Sequence, residues 1–397
     1  MMEDWKTKTL GEVTSFMAKG IPPKYVDHEG ENIIRVLNQK CNRNYRISYN
    51  DSRLHDNSVK KVPDSKILRP GDVLINSTGT GTAGRIAQIW HIPVPTTIDG
   101  HMILLRPTDE IDPLYYGYVL KRNLTLIESY AEGSTGQTEI NKNRLKEETI
   151  ISFPSDINEQ RKIARILAVL DEKIEENEKI NKNLEEQMEA LYKSWFIDFE
   201  PFGRIKPSDW QTQKIYSIAN IIYGAPFSSK LFNTAGIGKP IIRIRDLKSQ
   251  EFVTYTTEKH SKGHLIKPGD IVVGMDGEFR PYIWGNEEAW LNQRVCIFEN
   301  KRPKGKAFLL FSIQPLLKMV EQTQIGTTVI HIGKKDFDTF EIVLPDAKTL
   351  NLFDEITTPM IEQIVNNSLE DKRLKVLRDT LLPKLMSGEI DVTTLDI

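Results

Sequence analysis

A regular alternation of apolar and polar positions marks one long helix near the middle of the chain. The segment INEQRKIARILAVLDEKIEENEKINKNLEEQMEALYKSWF, residues 157–196, repeats mainly apolar residues at alternating steps of four and three, without Gly or Pro. The positions of this seam are Ile163, Leu167, Leu170, Ile174, Asn177, Asn181, Leu184, Met188, Leu191 and Trp195. The heptad rhythm predicts a helix of about 40 residues, or roughly 60 Å, that packs along one face. Ser155 or Asn158 is the predicted N-cap.

A second seam lies 190 residues further on, between about Leu350 and Met386. Its positions are Phe353, Thr357, Met360, Ile364, Asn367, Asp371, Leu374, Arg378, Leu381 and Leu385. Asn177 aligns with Asn367, and a polar seam residue costs stability while it fixes the register and the number of helices that pair. One small domain cannot cover helices of this length. We therefore expect the two helices to pair with each other, antiparallel if the halves of the chain are related by a pseudo-twofold axis.

The segments between the helices are repeated as well. IIRVLNQ (33–39) returns as IIRIRDL (241–247), ILRPGDVLI (67–75) as LIKPGDIVV (265–273), GSTGQTEINKNRLKEETIISFP (133–154) as GTTVIHIGKKDFDTFEIVLP (326–345), and EKIEEN (172–177) as EQIVNN (362–367). The order is kept, so the chain is one module used twice. Short runs of Val, Ile and Thr between Gly, Pro, Asn and Asp predict strands in the first part of each module.

These patterns predict a mixed α/β (α+β) fold with two strand-rich domains and two long helices that form an antiparallel coiled coil. The predicted segments are a first recognition-type domain at 1–153, a central helix at 154–200, a second such domain at 201–345 and a C-terminal helix at 346–397. Trp195, Phe196, Phe199 and Phe202 end the first helix. We expect them to pack that helix onto the second domain, and docking of a partner is the alternative.

A glycine motif in the first domain raises the question of a dinucleotide-binding site. Gly79, Gly81 and Gly84 spell GxGxxG within INSTGTGTAGRI. A dinucleotide site needs a long helix directly after this motif, whereas RIAQIWHIPVPTTIDG is β-branched and contains two prolines. In the second module only Gly277 remains of the three. We therefore predict a loop between strands, one that approaches a nucleic acid closely or, alternatively, an ordinary glycine-rich hairpin.

Charge is divided unevenly along the chain, although the formal net charge is only −2. Residues 151–200 carry 7 basic and 12 acidic side chains and residues 351–397 carry 5 and 9, whereas residues 201–350 carry 21 and 15. Acidic helices do not favour phosphates, so a polyanion would bind the strand-rich domains. The two isolated cysteines, no leader-like start and no run of about 18 apolar residues favour a cytoplasmic protein that does not enter a membrane.

Candidate DNA contacts follow from residue type, because Arg suits guanine, Asn and Gln suit adenine, and Ser or Thr suits either. In the first domain they are Arg35, Asn38, Gln39, Lys40, Arg43, Arg46, Ser77, Thr78, Thr80, Thr82 and Arg85. In the second domain they are Arg243, Arg245, Arg280, Tyr282, Asn292, Gln293 and Arg294. For any single residue a solvated surface position is the competing interpretation.

The sequence contains no motif for catalysis or metal binding that we recognise. We find no GxxxxGK[ST] loop, no Asn/Asp-Pro-Pro-Tyr/Phe signature of amino-methyltransferases, no HExxH and no Cys/His spacing suited to zinc. We expect no catalytic site, no bound metal and no cofactor in this chain. Carboxylates are abundant, however, and sequence alone does not pair them, so a hydrolase site stays open as an alternative.

The chain resembles the specificity subunit of type I restriction–modification enzymes over essentially its full length. The resemblance rests on the helical block INEQRKIARILAVLDEKIEENEKINKNLEEQMEALYKSWFIDFEPF, the C-terminal LRDTLLPKLMSGEI, the loop PGDVLINSTGTGTAGRI and the W…LNQRV stretch. It implies two target-recognition domains that each read half of a bipartite DNA site, with the helices as an antiparallel spacer. It also implies two methyltransferase subunits that bind S-adenosylmethionine, and motor–nuclease subunits that use ATP and Mg²⁺.

Two strongly different recognition domains on a spacer predict an asymmetric site whose halves are separated by several base pairs that are not read. Two other hypotheses stay open. One is the recognition subunit of a different restriction or modification system, and the other is a coiled-coil scaffold with two modules that do not bind DNA.

Overall fold

The structure is a computed structural model that describes residues 4–133, 138–323 and 330–395. Parts of the repeated segments, 134–137 and 326–329, and the chain ends lie outside the described residues. The chain forms two compact units, one of residues 1–171 with 376–397 and one of residues 172–375. Each unit thus contains one strand-rich domain and part of both long helices. The predicted four-segment division along the chain stays a prediction.

The first unit contains the strands and short helices of the first domain, which extends from Trp5 to Pro154. They are β1 (Trp5–Thr9), β2 (Thr14–Lys19), β3 (Tyr25–Val26), β4 (Ile33–Leu37), β5 (Asn42–Arg43), β6 (Arg46–Ile47), β7 (Arg53–Asp56), β8 (Val73–Asn76), β9 (Ile86–Gln88), β10 (Thr96–Ile98), β11 (Met102–Pro107), α1 (Pro113–Arg122), α2 (Leu124–Ser129), β12 (Ala131–Glu132), β13 (Glu139–Ile140), α3 (Lys142–Glu147) and β14 (Ile150–Pro154).

The long helix α4 (Ile157–Phe196) follows and continues into the second unit, where the second domain extends from Gln211 to Leu344. Its elements are β15 (Gln211–Lys214), β16 (Ala219–Tyr223), β17 (Phe232–Asn233), β18 (Lys239–Ile242), β19 (Tyr255–Thr256), β20 (Leu265–Ile266), β21 (Ile271–Gly274), β22 (Pro281–Ile283), β23 (Ala289–Leu291), β24 (Val295–Asn300), α5 (Lys306–Thr323), α6 (Lys334–Phe337) and β25 (Glu341–Leu344). The second long helix, α7 (Ala347–Leu385), ends in the first unit.

The main antiparallel sheet has the same strand order in both domains, whereas the second sheet has four strands in the first domain and five in the second. In the first, β2, β11, β8 and β9 form an antiparallel sheet in that order, and in the second β16, β24, β21 and β22 do the same. A parallel pair, β4 with β10 or β18 with β23, belongs to the other sheet of each domain. The ends of each domain meet on an antiparallel pair, β1 with β14 and β15 with β25. The internal repeat and the mixed fold predicted from sequence are confirmed.

The long helices begin and end close to the predicted positions, with one correction at the start of α4. The predicted caps Ser155 and Asn158 are wrong. Asp156 directly precedes the first helical residue, and its Oδ1 accepts a hydrogen bond from the Asn158 backbone N–H at 2.9 Å. A carboxylate suits this place because it satisfies a free amide and complements the helix dipole.

In each unit the long helices pack along their seams. Every seam residue of the predicted set is buried or half-buried: Leu170, Ile174, Asn177, Leu184, Met188, Leu191, Met360, Ile364, Asn367, Leu374, Leu381 and Leu385. In the second unit Asn177 donates to Asp371 and Asn367 donates to Asn181, both at 2.8 Å. Partner numbers fall along α7 as they rise along α4, so these segments run antiparallel. A coiled coil over the whole length of both helices stays a prediction.

The aromatic residues at the end of α4 pack into the core of the second unit, as predicted. The ring of Phe196 lies 4.9 Å from Phe353, 5.1 Å from Phe308 and 5.8 Å from Trp210, measured between centroids. In the first unit the position that matches Phe353 is Ile163, which is buried in a core that also contains Tyr115 and Tyr116. Among the helices of the described residues, none combines the length and apolar character needed to cross a membrane.

Candidate nucleic-acid interface

The glycines of the GxGxxG motif shape a turn between two strands. The loop joins β8 to β9, which pair antiparallel, so a strand and not a helix follows the motif. Gly79 has φ +108°, and a Cβ there would lie 2.3 Å from Thr82 Oγ1. At Gly84, φ is +88° and a Cβ would lie 2.8 Å from the Cα of Glu128. The motif therefore serves backbone conformation and packing, and it lacks the helix that a dinucleotide site requires.

Three backbone hydrogen bonds hold this loop, and the second domain repeats all three; we call them the common frame. The N–H of Ser77 donates to the carbonyl of His101, as that of Met275 does to Arg294, each at 2.8 Å. In the second bond the N–H of Ile140 donates to the carbonyl of Ser77, as that of Ile332 does to Met275. In the third the N–H of Gly79 donates to the carbonyl of Thr138, as that of Gly277 does to Ile330. The frame brings three chain segments together at one place in each domain.

Next to the frame, two backbone segments of each domain pass very close to each other at a glycine. A Cβ on Gly20 would lie 2.1 Å from the carbonyl oxygens of Ile98 and Asp99. A Cβ on the matching Gly224 would lie 1.9 Å from the carbonyl oxygen of Asn292. Real Cβ atoms do not approach a carbonyl this closely, so only glycine fits either position.

The frame of the first domain displays a cluster of five polar residues, which we call the first-domain cluster: Lys19, Gln39, Thr78, His101 and Glu139. Thr78 Oγ1 lies 2.9 Å from His101 Nδ1 and 3.4 Å from Gln39 Oε1. Glu139 forms an ion pair with Lys19. Thr78 and Glu139 are joined by an isolated antiparallel β-bridge. The cluster therefore combines hydroxyl, imidazole, amide, ammonium and carboxylate groups at one loop.

The frame of the second domain displays Asp276, Arg294 and His331, which we call the second-domain cluster. His331 Nδ1 lies 2.6 Å from Asp276 Oδ1, and Arg294 Nη1 lies 3.0 Å from His331 Nδ1 and 3.1 Å from its Nε2. Arg294 has φ +69°, a left-handed conformation that is uncommon for a side chain of this size. Asp276 and His331 are joined by an isolated antiparallel β-bridge, as Thr78 and Glu139 are in the first domain.

The other predicted contacts of the first domain have varied surroundings. Arg35 pairs with Glu29 at 2.6 Å, and the Asn38 side chain caps a 3-10 helix by accepting from Lys40 N–H at 2.9 Å. The side chains that reach solvent at or near the loop belong to Arg43, Arg46, Thr80, Thr82 and Arg85. Ser77 differs from the prediction, because it is fully buried and does not present its hydroxyl at the surface.

The predicted contacts of the second domain also differ from one another in exposure. Arg245, Arg280 and Gln293 are exposed, and Tyr282 is half-buried beside a hydrophobic core. Arg243 is held by Thr254 and by Asp246, whose carboxylate lies 3.6 Å away. Asn292 differs from the prediction, because it is buried beneath the loop.

Sequence reasoning found Gln39, Thr78 and Arg294 of the two clusters and missed the remaining members. His101 could have been found, since the repeat aligns it with Arg294 at an offset of 193 residues. Glu139 and His331 carry no comparable signal, because they reach the loop only through a β-bridge from a distant segment.

Metal-type clusters and the two cysteines were the remaining candidates for chemistry in the described residues. Within residues 4–133, 138–323 and 330–395, no group of three or more His, Cys, Asp or Glu is arranged to hold a metal ion. Cys41 and Cys296 are buried, and burial raises the pKa of both thiols, so neither is suited to act as a thiolate nucleophile.

Comparison with known proteins assigns the family. The sequence model of the type I restriction modification DNA specificity domain matches the chain twice, over residues 2–186 and 207–377. The chain therefore belongs to this family, and the resemblance inferred from sequence is confirmed. The two matches coincide with the two repeats of strand-rich domain and long helix.

Individual relatives agree with this assignment. The type I restriction enzyme MjaIX specificity subunit of Methanocaldococcus jannaschii is 27% identical, over 99% of this chain and 95% of that subunit. The HindI specificity subunit of Haemophilus influenzae is 22% identical, over 98% of this chain and 100% of that subunit. The crystal structure of a type I restriction-modification S subunit from M. genitalium has the same fold, with a TM-score of 0.58, 18% identity and 97% coverage of both chains.

Proposed function

We propose that this chain is the DNA-specificity subunit of a type I restriction–modification complex and recognises an asymmetric bipartite site in double-stranded DNA. The observation that carries the proposal is the pair of strand-rich domains with one common frame and different exposed side chains. Two such domains suit two half-sites of different sequence. The surplus of basic side chains in residues 201–350 favours contact with a polyanion there.

The chain acts without a catalytic site of its own in this proposal. Two methyltransferase subunits supply S-adenosylmethionine-dependent methylation of adenine, and motor–nuclease subunits supply ATP- and Mg²⁺-dependent cleavage, as the family resemblance implies. The specificity subunit docks the methyltransferases and determines where they act. Such a complex works in the cytoplasm, where the DNA is.

The long helices set the distance between the half-sites in this proposal. A helix of 40 residues is roughly 60 Å long, a little under two turns of B-DNA. We expect several base pairs between the half-sites that are not read.

Methylome sequencing tests the proposed function. The chain is expressed with its methyltransferase subunits in a host that lacks adenine methylation, and modified adenines are mapped. We expect one asymmetric, gapped motif. No new methylation from a complex shown to be assembled would contradict the proposal and favour a scaffold that does not recognise DNA.

The spacer role has its own test. Removing one heptad from each helix, residues 174–180 and 364–370, should shorten the gap while both half-sites stay the same. A motif with an unchanged gap would contradict the spacer role but leave the recognition role intact.

A further inference from the structure

We propose that three matched positions on the common frame determine which bases each domain reads: Thr78 with Asp276, His101 with Arg294, and Glu139 with His331. This inference rests on the proposed function and assigns its specificity to particular side chains. It names Asp276, His101, Glu139 and His331, which residue type alone did not indicate.

The first step is the equivalence of the positions. The carbonyls of His101 and Arg294 accept the same frame hydrogen bond, and each residue directly precedes the strand that follows it, β11 or β24. The β-bridges join Thr78 to Glu139 and Asp276 to His331. Each pair therefore occupies matching places on the frame. Its members differ in chemistry and, for His101 and Arg294, also in backbone conformation, because only Arg294 has a positive φ.

The second step is exposure. In the second-domain cluster the side chains of Arg294, His331 and Asp276 are 53%, 43% and 29% exposed, and Glu139 of the first-domain cluster is 52% exposed. Their neighbours on the frame face inward: Ser77, Ile140, Met275 and Ile332 are all buried. The frame thus separates buried positions that maintain the fold from outer positions that meet a ligand.

The third step is the chemistry of the second-domain cluster. His331 Nδ1 lies 2.6 Å from Asp276 Oδ1, and Arg294 Nη1 lies 3.0 and 3.1 Å from the two ring nitrogens of His331, so the imidazole holds the guanidinium on one side. This contact engages one guanidinium nitrogen and limits the rotation of the side chain, while the remaining N–H groups stay free to donate. An oriented guanidinium pairs with guanine O6 and N7 better than with any other base edge. We therefore assign Arg294 to a G·C pair in the second half-site.

The first-domain cluster has no arginine at the matching place. His101, held against Thr78, and Glu139, paired with Lys19, present an imidazole and a carboxylate. A carboxylate accepts a hydrogen bond from cytosine N4, and an imidazole presents a single donor or acceptor instead of a fork. The first half-site should therefore differ from the second at the corresponding base.

Methylation of defined duplexes by the complex of this chain with its methyltransferase subunits tests the inference. Each duplex carries one of the four base pairs at one position of the half-sites found by methylome sequencing. The variants are Arg294→His, the conservative Arg294→Lys, and the triple exchange Asp276→Thr, Arg294→His and His331→Glu. Arg204→His, a change of the same kind at an exposed residue outside the frame, is the matched control.

We expect Arg294→His to reduce the preference for guanine at one position of the second half-site by about 10- to 100-fold, with the first half-site unchanged. Arg294→Lys keeps the positive charge and should relax the same position. Because the preference is a ratio between duplexes methylated by one complex, a folding defect of the histidine variant does not decide the result. The triple exchange should alter only the second half-site, and Arg204→His should alter neither.

Two outcomes would overturn the inference: a wild-type second half-site without a G·C pair, or Arg294→Lys with the base preference of the wild type. Both require a wild-type complex that methylates a specific motif. Absence of any specific motif from the wild-type complex would instead contradict the proposed function, so the two failures are distinguishable.

Discussion

At the loop after β8 the first domain displays Thr78 beside His101, whereas at the matching loop after β21 the second domain displays Asp276 beside His331 and Arg294. The backbone hydrogen bonds beneath both loops are the same. The comparison teaches that backbone and recognition chemistry are separable in this molecule. Glycines and buried residues maintain the frame, and the side chains that reach solvent differ freely between its two copies.

The two copies also differ where each domain packs on the long helices. Phe353 of α7 and Ile163 of α4 are equivalent at an offset of 190 residues, and both are buried. Phe353→Ala should destabilise the second unit by about 3–5 kcal/mol and Ile163→Ala the first by about 2–4 kcal/mol, because each leaves a cavity. Hydrogen exchange of the full chain, resolved by peptide, measures each unit separately. Equal loss of protection in both units from either single change would contradict the division into two units.

The ion pair of Arg106 with the buried Asp72 in the first domain has no counterpart at the matching positions of the second domain. Arg106 Nε and Nη2 donate to the two carboxylate oxygens of Asp72 at 2.7 and 2.9 Å. At the matching places the second domain has Asp270 and the exposed Glu299, and burial raises the pKa of Asp270. Arg106→Leu should cost about 3–5 kcal/mol, since it leaves a buried carboxylate unpaired.

Asp270→Asn provides the counterpart in the second domain. It should leave stability at pH 7 unchanged or slightly higher, because the carboxylate it removes has no arginine partner. Urea unfolding followed for each unit by peptide-resolved exchange compares the two changes. A loss for Asp270→Asn as large as that for Arg106→Leu would contradict the asymmetry.

The glycine crossings should respond alike in both domains. Gly20→Ala and Gly224→Ala should each destabilise their own domain by about 3 kcal/mol, the upper end of overpacking, because the added Cβ meets a backbone carbonyl. Gly100→Ala is the matched control, since a Cβ there would lie 3.8 Å from the nearest atom. Thermal unfolding of the three variants checks the prediction. If only one of Gly20→Ala and Gly224→Ala were destabilising, the two frames would not be equivalent.

The smallest expected effect concerns the polar residues of the helix seam. Asp371 accepts from Asn177 and lies near Lys375, Glu178 and Glu370, and burial raises its pKa from 3.8 to about 6. Because the folded pKa exceeds the unfolded value, the stability from protonated Asp371 is fully present below about pH 4 and is lost as pH rises through about 6. The loss should be about 1 kcal/mol, as residual solvent screening weakens the effect.

Asp371→Asn isolates this contribution. The free energy of unfolding is measured between pH 4 and 7 for the wild type and the variant. The decrease that the wild type shows over this range should be absent from the variant. The neighbouring pair of Asn181 and Asn367 contains no titratable side chain and serves as the internal comparison. A variant with the same pH profile as the wild type would show that Asp371 is ionised at no cost.

The sequence was sufficient for features with a local or periodic signal. The heptad steps predicted both long helices within a few residues, and the repeated segments predicted the two domains. The N-cap was misplaced because Ser155, Asp156 and Asn158 are all good caps, and only the backbone shows which residue directly precedes the helix. Gln39, Thr78 and Arg294 were found by residue type. Glu139 and His331 were not, since a β-bridge between distant segments has no local signature.

The exchange of one domain for the other tests the central claim, that one frame used twice reads two different half-sites. The ends of each domain are neighbours, Trp5 opposite Pro154 and Gln211 opposite Leu344, so residues 5–154 can replace residues 211–344 with matched junctions. We predict that the methylome of the assembled complex then shows a symmetric motif, with the first half-site repeated in inverted orientation. Retention of the original asymmetric motif by such a complex would contradict the account.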